Sequence, residues 1–322
     1  MKKNLSILAV VTSLGLILTG CSSSESNNGA SGVVKVVAAF YPLEFVATSI
    51  GGELISVENI TPPGVEPHDL ELTPSQVLSL DDADLLLYMS GFQPALEQAA
   101  EQSAPANSLD VLTVEGLNLL GATEDGDNHG TEEEHGTEEE HGTEEEHADV
   151  EMVSDPHVWL DPERLVVVAQ AVSAKLSEID PDNSAAYETN LAVFVAELKT
   201  LDQKFLRGLA SCERDLIVTS HAAFGYLADA YELSQEAIAG LSPESEPTPK
   251  RLNEIGKEAK ADGTTTIFFE TLASPKVAQT LADDLNIEAA VLDPIEGISQ
   301  GQTYFSIMEN NLEALRKALN CK

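Results

Sequence analysis

Apolar and polar residues follow two alternating patterns from Val33 onwards. Short apolar runs typical of buried strands are followed by stretches with helical periodicity, and this order predicts βαβ units around a parallel sheet. A capping box formed by Thr73 and Gln76, with Pro74 in the first helical position, predicts that a helix begins there. The other elements predicted in the first half are strands at 33–39, 54–60 and 84–89 and a helix at 42–50.

Two long helical patterns, at 162–179 and 184–209, separate this half from a second half of the same kind. The second pattern is heptad-like and predicts a rigid connecting helix with apolar positions Tyr187, Leu191, Phe194, Leu198, Leu201 and Phe205. Strands then follow at 216–219, 265–269 and 289–292, with helices at 222–231 and 275–285. We therefore predict an α/β fold of two lobes with parallel sheets, 33–183 and 211–322, joined by a helix at 184–210.

The N-terminal residues have the pattern of an export signal. Lys2 and Lys3 precede an apolar run at 5–18 that is too short to cross a bilayer, as in a signal peptide covering residues 1–20. Leu-Thr-Gly before Cys21 resembles a lipobox, which predicts lipidation of that cysteine. Residues 21–32 are rich in Ser, Asn and Gly, which predicts a lipid-anchored tether and disfavours the alternative that the apolar run before it is a short buried helix.

The charge balance restricts the class of partner. The chain has 17 Lys and Arg residues against 55 Asp and Glu residues, a formal net charge of −38, which becomes more negative once Lys2 and Lys3 are removed. So acidic a protein is a poor match for nucleic acid, whose phosphates it would repel, and a better match for cations.

Only two cysteines remain after Cys21, namely Cys212 and Cys321. An even pair in an exported chain favours a disulfide over free thiols, and this bridge would tie the C-terminus to the second lobe. The two cysteines lack the paired spacing of a zinc thiolate site.

Residues 121–150 differ from the rest of the chain. His-Gly-Thr-Glu-Glu-Glu occurs three times, starting at His129, His135 and His141, and His147 lies at the edge of the repeats. The segment is strongly acidic and contains no Lys or Arg, so self-repulsion predicts a disordered loop inserted in the first lobe.

The three other histidines, His68, His157 and His221, each lie just outside a predicted element. In an open parallel sheet, ligands bind outside the carboxyl ends of the strands, and His221, Glu270 and Asp293 all follow strands directly. Three imidazoles with a carboxylate or water are a ligand set that Zn2+ prefers. A single histidine of this kind favours a surface or hydrogen-bonded loop residue, and only the three matching positions together indicate a metal site, so spacing alone leaves their convergence open.

Four segments carry a resemblance to a known family: 67–75 around His68, 155–162 around His157, 220–226 around His221, and 292–294 around Asp293. They resemble the signatures of cluster A-I metal-binding proteins of ABC importers, and more closely those of the zinc-specific ZnuA type. The resemblance implies two lobes joined by one long helix, with a metal cleft between the lobes. It also implies that His68 and His157 come from the first lobe and that His221 and Asp293 come from the second.

The resemblance has further implications for the ligands. Manganese and iron members commonly have Glu where His221 stands, so zinc is favoured over those metals. The fourth ligand is left open between Asp293, Glu66 and water, because Pro67 stands where some zinc members carry a glutamate. Glu270 is expected to orient a ligand histidine.

The repeats have two interpretations. They form a solvated acidic linker, or, as similar insertions in zinc members imply, His129, His135, His141 and His147 collect additional Zn2+ weakly because a disordered ligand set loses entropy on binding.

The predicted function is the capture of extracytoplasmic Zn2+ by a monomer and its delivery to the membrane permease of an ABC importer, with no enzymatic activity. The alternatives are a manganese- or iron-binding member of the same family, a zinc hydrolase with Glu270 as base, and a surface adhesin. The sequence contains neither HExxH nor GxSxG, which weakens the hydrolase alternative.

Overall fold

Two four-stranded sheets organise the chain in the computed structural model, which describes residues 33–103, 107–123 and 152–322. The predicted signal peptide, Cys21 and the tether lie outside the described residues. The loop histidines also lie outside them, namely His129, His135, His141 and His147.

The first lobe contains a parallel sheet of strand order β2-β1-β3-β4. The two central strands of this sheet are apolar and nearly continuously buried, as expected of a parallel sheet covered by helices. The elements in chain order are β1 (Val34–Ala38), α1 (Tyr41–Gly51), β2 (Ile55–Asn59), α2 (Pro74–Asp81), β3 (Leu85–Tyr88), α3 (Pro94–Ser103) and β4 (Ser108–Asp110). The capping box predicted at Thr73 is present.

A short antiparallel pair, β5 (Gly121–Thr123) and β6 (Met152–Ser154), brackets the acidic insertion. The prediction placed the start of the disordered loop at residue 121, and this boundary was wrong because residues 121–123 pair with β6. Asp155 continues the pairing, since its N–H donates to the Leu120 carbonyl at 2.9 Å.

Two long helices follow with the predicted bounds, α4 (Pro162–Ile179) and α5 (Ser184–Leu209). Helix α5 packs against α1, α4 and the last helix of the chain. Its buried positions form one face, as the periodicity predicted, except that Leu191 is only partly buried. This long helix therefore packs against elements of both lobes.

The second lobe contains a parallel sheet of strand order β10-β9-β7-β8. Its elements are β7 (Leu216–Thr219), α6 (Gly225–Ala230), β8 (Ser234–Ala237), α7 (Pro249–Asp262), β9 (Thr266–Phe269), α8 (Lys276–Leu285), β10 (Glu288–Val291) and α9 (Tyr304–Leu319). Cys212 and Cys321 form a disulfide that ties the end of α9 to the segment after α5. The predicted fold class, an α/β fold with parallel sheets and a long helix, is confirmed.

One buried apolar cluster includes residues of both lobes and of the helices between them, and a smaller one lies within the second lobe. Within the described ranges, no helix is long and apolar enough to cross a membrane.

Candidate metal site

His68 lies in the long connection between β2 and α2. The Gln93 side chain holds this connection, since its Nε2 donates to the Pro67 carbonyl at 3.1 Å. The His68 N–H donates to Glu66 Oε1 at 3.2 Å, and the imidazole packs edge-on against Phe92 with 4.3 Å between ring centroids. Backbone and ring contacts therefore fix the direction of a side chain that is 9% exposed.

His157 follows β6 and is fully buried. Asp155 Oδ1 accepts from both its backbone N–H, at 2.9 Å, and its ring Nδ1, at 2.7 Å. A carboxylate only accepts, so Nδ1 carries a proton, and Nε2 presents a lone pair once the ring is neutral. Tyr226 of the second lobe donates its hydroxyl proton to the Asp155 carbonyl at 2.7 Å and so steadies this turn from across the lobes.

His221 lies just beyond the end of β7 and is also buried. Glu270, directly after β9, accepts from His221 Nδ1 at 2.9 Å and from the Ser220 hydroxyl at 2.7 Å, both through Oε1. The adjacent carboxyl ends of two parallel strands thus bring these residues together. As in His157, the neutral ring presents its lone pair at Nε2.

The three Nε2 atoms converge on Glu296. Its Oε1 lies 3.5 Å from His68 Nε2, 3.3 Å from His157 Nε2 and 3.4 Å from His221 Nε2. Ligand atoms about 2.0–2.1 Å from a tetrahedral zinc ion are about 3.3 Å apart, so the three distances to Glu296 match a zinc coordination shell, and all four atoms lie within 4.8 Å of one another. All four are buried and have no hydrogen-bond partner among the described residues.

Glu296 was missed by the sequence prediction, which named Asp293. Asp293 lies outside this group of four atoms, because its Oδ1 accepts from the Ile295 N–H at 2.8 Å and its Oδ2 from the Thr271 hydroxyl at 3.0 Å. Asn311 holds the same turn by accepting from the Asp293 N–H at 2.9 Å. Asp293 therefore shapes the turn that presents Glu296.

The turn itself explains why sequence did not identify Glu296. Ile295 has a φ of 61°, a left-handed conformation that is unfavourable for a β-branched residue. Nothing in the local sequence predicts this conformation, which directs the side chain after it. The one available signal was a second carboxylate three residues beyond Asp293 in the same loop.

Glu66, another candidate from the sequence, lies beside the histidine group. It belongs to a second group with Glu270 and Glu296, in which one carboxylate oxygen of each lies within 4.8 Å of the others. Burial, and next the charge of Glu296, raise the pKa of Glu66 to about 9. Acidic side chains thus crowd one side of the site.

The electrostatics favour a cation. Burial opposes the charge on each group, yet the histidines together hold the pKa of Glu296 well below its ordinary value. Burial also depresses the pKa of His157 and His221, but Asp155 and Glu270, with Glu296, outweigh it and raise both pKa values. For His68 burial dominates and its pKa is lowered.

An opening leads towards the site from the side of His68. A cavity of about 630 Å³ is lined by His68, by β6 and by the second-lobe loop around Leu241 and Ser245. His157, His221 and Glu296 do not line it, so a metal ion entering this way meets His68 first.

Comparison with known proteins places this geometry in context. Residues 36–318 match the family model described as "Zinc-uptake complex component A periplasmic". The zinc-binding protein AdcA of Streptococcus pyogenes serotype M3 is 36% identical over 292 residues, which are 89% of this chain and 56% of that protein. The chain therefore spans little more than half the length of this relative.

A second relative has the same extent as this chain. The high-affinity zinc uptake system protein ZnuA of Bacillus subtilis is 35% identical over 331 aligned residues, which cover 100% of both chains. Among solved structures, Zn(II)-bound AdcA from Streptococcus pneumoniae is 29% identical, with a TM-score of 0.71 over 90% of this chain and 59% of that one.

Proposed function

This chain belongs to the zinc-uptake complex component A family, and we propose that it captures Zn2+ outside the cytoplasm and delivers it to the permease of an ABC importer. The observation that carries the proposal is the set of four buried ligand atoms without partners among the described residues. Burying such groups costs several kcal/mol unless a cation or hydrogen bonds compensate them. A bound Zn2+ would satisfy all four at once.

The proposed ligands are His68, His157, His221 and Glu296, with Glu296 in the place that the sequence prediction gave to Asp293. Three imidazole nitrogens favour zinc over manganese, which prefers oxygen ligands. The ligand set thus supports the choice of metal that the His221 position implied.

Transport accounts for this site better than hydrolysis does. A catalytic zinc keeps one coordination position open for water, whereas here three imidazole nitrogens and Glu296 Oε1, 3.3–3.5 Å from each of them, supply four protein ligands. Glu270, the base of the hydrolase alternative, already accepts from His221 and Ser220 through Oε1.

Release then requires the ligand set to be pulled apart. His68 and His157 are held by the first lobe, and His221 and Glu296 by the second. A small separation of the lobes on the permease would remove two ligands from the ion together and lower its affinity. Lipidation of Cys21 would keep the protein close to that permease, and the loop histidines would collect Zn2+ weakly nearby.

The test is metal analysis of the protein without residues 1–21 and with 129–147 deleted, so that only the cleft is counted. We expect one tightly held zinc ion per chain, and strong loss in His157→Ala and in His221→Ala. The matched control is His135→Ala in the undeleted protein, which should keep the tight ion. Undiminished zinc in either cleft variant contradicts the proposal.

A further inference from the structure

Three carboxylates meet next to the proposed zinc site, and two of them are not among its ligands. Glu66, Glu270 and Glu296 come from separate loops, and one oxygen of each lies within 4.8 Å of the other two. Glu270 is 3% exposed and Glu296 1% exposed. Their proximity in so buried a place needs a physical compensation.

One oxygen of each carboxylate already has a partner. Glu66 Oε1 accepts from the His68 N–H, and Glu270 Oε1 accepts from Ser220 and His221. Glu296 Oε1 faces the three Nε2 atoms. The Oε2 atoms of all three glutamates are buried and have no hydrogen-bond partner among the residues that the structure describes.

A metal cation compensates this arrangement better than a proton does. A proton bridges two oxygens, whereas a cation coordinates three or more. Oxygen ligands 2.3–2.6 Å from a calcium-sized ion lie up to about 5 Å apart across it, which accommodates the 4.8 Å limit of this group.

A bound zinc ion does not fully compensate the charge of these carboxylates. When the histidines bind Zn2+ they are neutral, so the charges of Glu270, Glu296 and Asp155 face the ion alone. The formal charge of these three carboxylates exceeds that of one divalent ion.

We propose that Glu66, Glu270 and Glu296 form a second cation subsite beside the zinc site, with Glu296 as the bridging carboxylate. Its all-oxygen ligand set suits a hard divalent cation such as Mn2+ or Ca2+. The subsite rests on the proposed function in one respect, because it assumes that Zn2+ occupies the histidine group and leaves Glu296 Oε2 free.

The test counts bound Mn2+ in the zinc-loaded full chain by the electron paramagnetic resonance signal of free Mn2+. Zn2+ is loaded first, because it outcompetes Mn2+ for imidazoles. Glu66→Gln keeps an oxygen that accepts from the His68 N–H but removes the carboxylate that the cation would bind. Glu71→Gln is the matched control, since Glu71 is exposed and near in sequence.

We expect Glu66→Gln to bind one Mn2+ fewer per zinc-loaded chain than the parent, and Glu71→Gln to bind as many as the parent. Any Mn2+ held by the acidic repeats is common to all three proteins and cancels. Equal Mn2+ counts in the parent and Glu66→Gln overturn the second subsite while leaving the zinc proposal intact. Failure of Glu66→Gln to load zinc also overturns the second subsite, because Glu66 is then a zinc ligand. A parent that loads no zinc contradicts the proposed function itself.

Discussion

The indole Nε1 of Trp159 donates a hydrogen bond of 2.7 Å to the carbonyl of Pro294, across the two lobes. Trp159 lies two residues after His157, and Pro294 lies two residues before Glu296, so this bond joins the loops that carry a ligand from each lobe. Tyr304 adds to it by donating its hydroxyl proton to the Trp159 carbonyl at 2.7 Å. Movement of one ligand loop is therefore coupled to the other.

Glu296→Gln should weaken zinc binding more than Asp293→Asn does. The glutamine removes the carboxylate whose Oε1 lies 3.3–3.5 Å from all three imidazoles, whereas the asparagine keeps an oxygen that accepts from the Ile295 N–H. We expect a loss of more than about 100-fold for Glu296→Gln, since even residues that orient ligands typically contribute 10- to 100-fold. Competition with a chromophoric chelator measures both, and the reverse order would return the fourth ligand to Asp293.

Gly225→Ala should disturb the zinc site without unfolding the protein. A Cβ at this position would lie 2.7 Å from Asp155 Oδ2, and Asp155 orients His157. We expect zinc affinity to fall by roughly 10-fold. Gly256→Ala is the matched control, because its Cβ would meet Leu285 at an ordinary 3.8 Å. Equal zinc affinities in the two variants would show that a Cβ at residue 225 does not disturb the way Asp155 orients His157.

Zinc affinity should fall as the pH is lowered. The pKa of His157 is raised and that of His221 is raised well above the ordinary 6.5, so in the metal-free protein both bind protons that Zn2+ must displace. Affinity is therefore greatest above these pKa values and declines as pH falls through them, a decline that begins above 6.5. Titration calorimetry in buffers of different ionisation enthalpy, over about pH 5 to 8, measures the released protons. Binding without proton release would contradict the expectation.

Removal of the Cys212–Cys321 disulfide should lower stability and leave the metal ligands in place. The bridge joins positions 109 residues apart, and none of the four proposed ligands lies next to it in sequence. We expect the double serine variant to lose about 2–5 kcal/mol of unfolding free energy, since the bridge restricts the unfolded chain. Urea unfolding of the metal-free proteins measures this loss. An unchanged midpoint and slope would show that the backbone contacts around α9 are sufficient.

Parts of the fold were predictable because their signals are local. The bounds of α4 and α5 follow from helical periodicity and from Pro162 and Ser184 at their starts. Helix α6 was predicted to begin at Ala222, yet it begins at Gly225, because residues 220–224 form the turn that carries His221. Strand β8 and helices α3, α7 and α9 were not predicted, although α7 carries local signals, since Thr248 caps its start and Gly263 ends it in a left-handed conformation.

By itself the sequence determined the alternation of strands and helices, the long helix and the presence of three histidines outside the acidic repeats, because each is a property of neighbouring residues. Only the tertiary structure decided that these histidines share one point with Glu296 and that Asp155 and Glu270 fix their rings. Those relationships join residues of separate loops, and the left-handed turn at Ile295 that presents Glu296 is stabilised by Asp293 and its partners Thr271 and Asn311. Side-chain direction at such a turn is set by packing across the lobes, which no local pattern records.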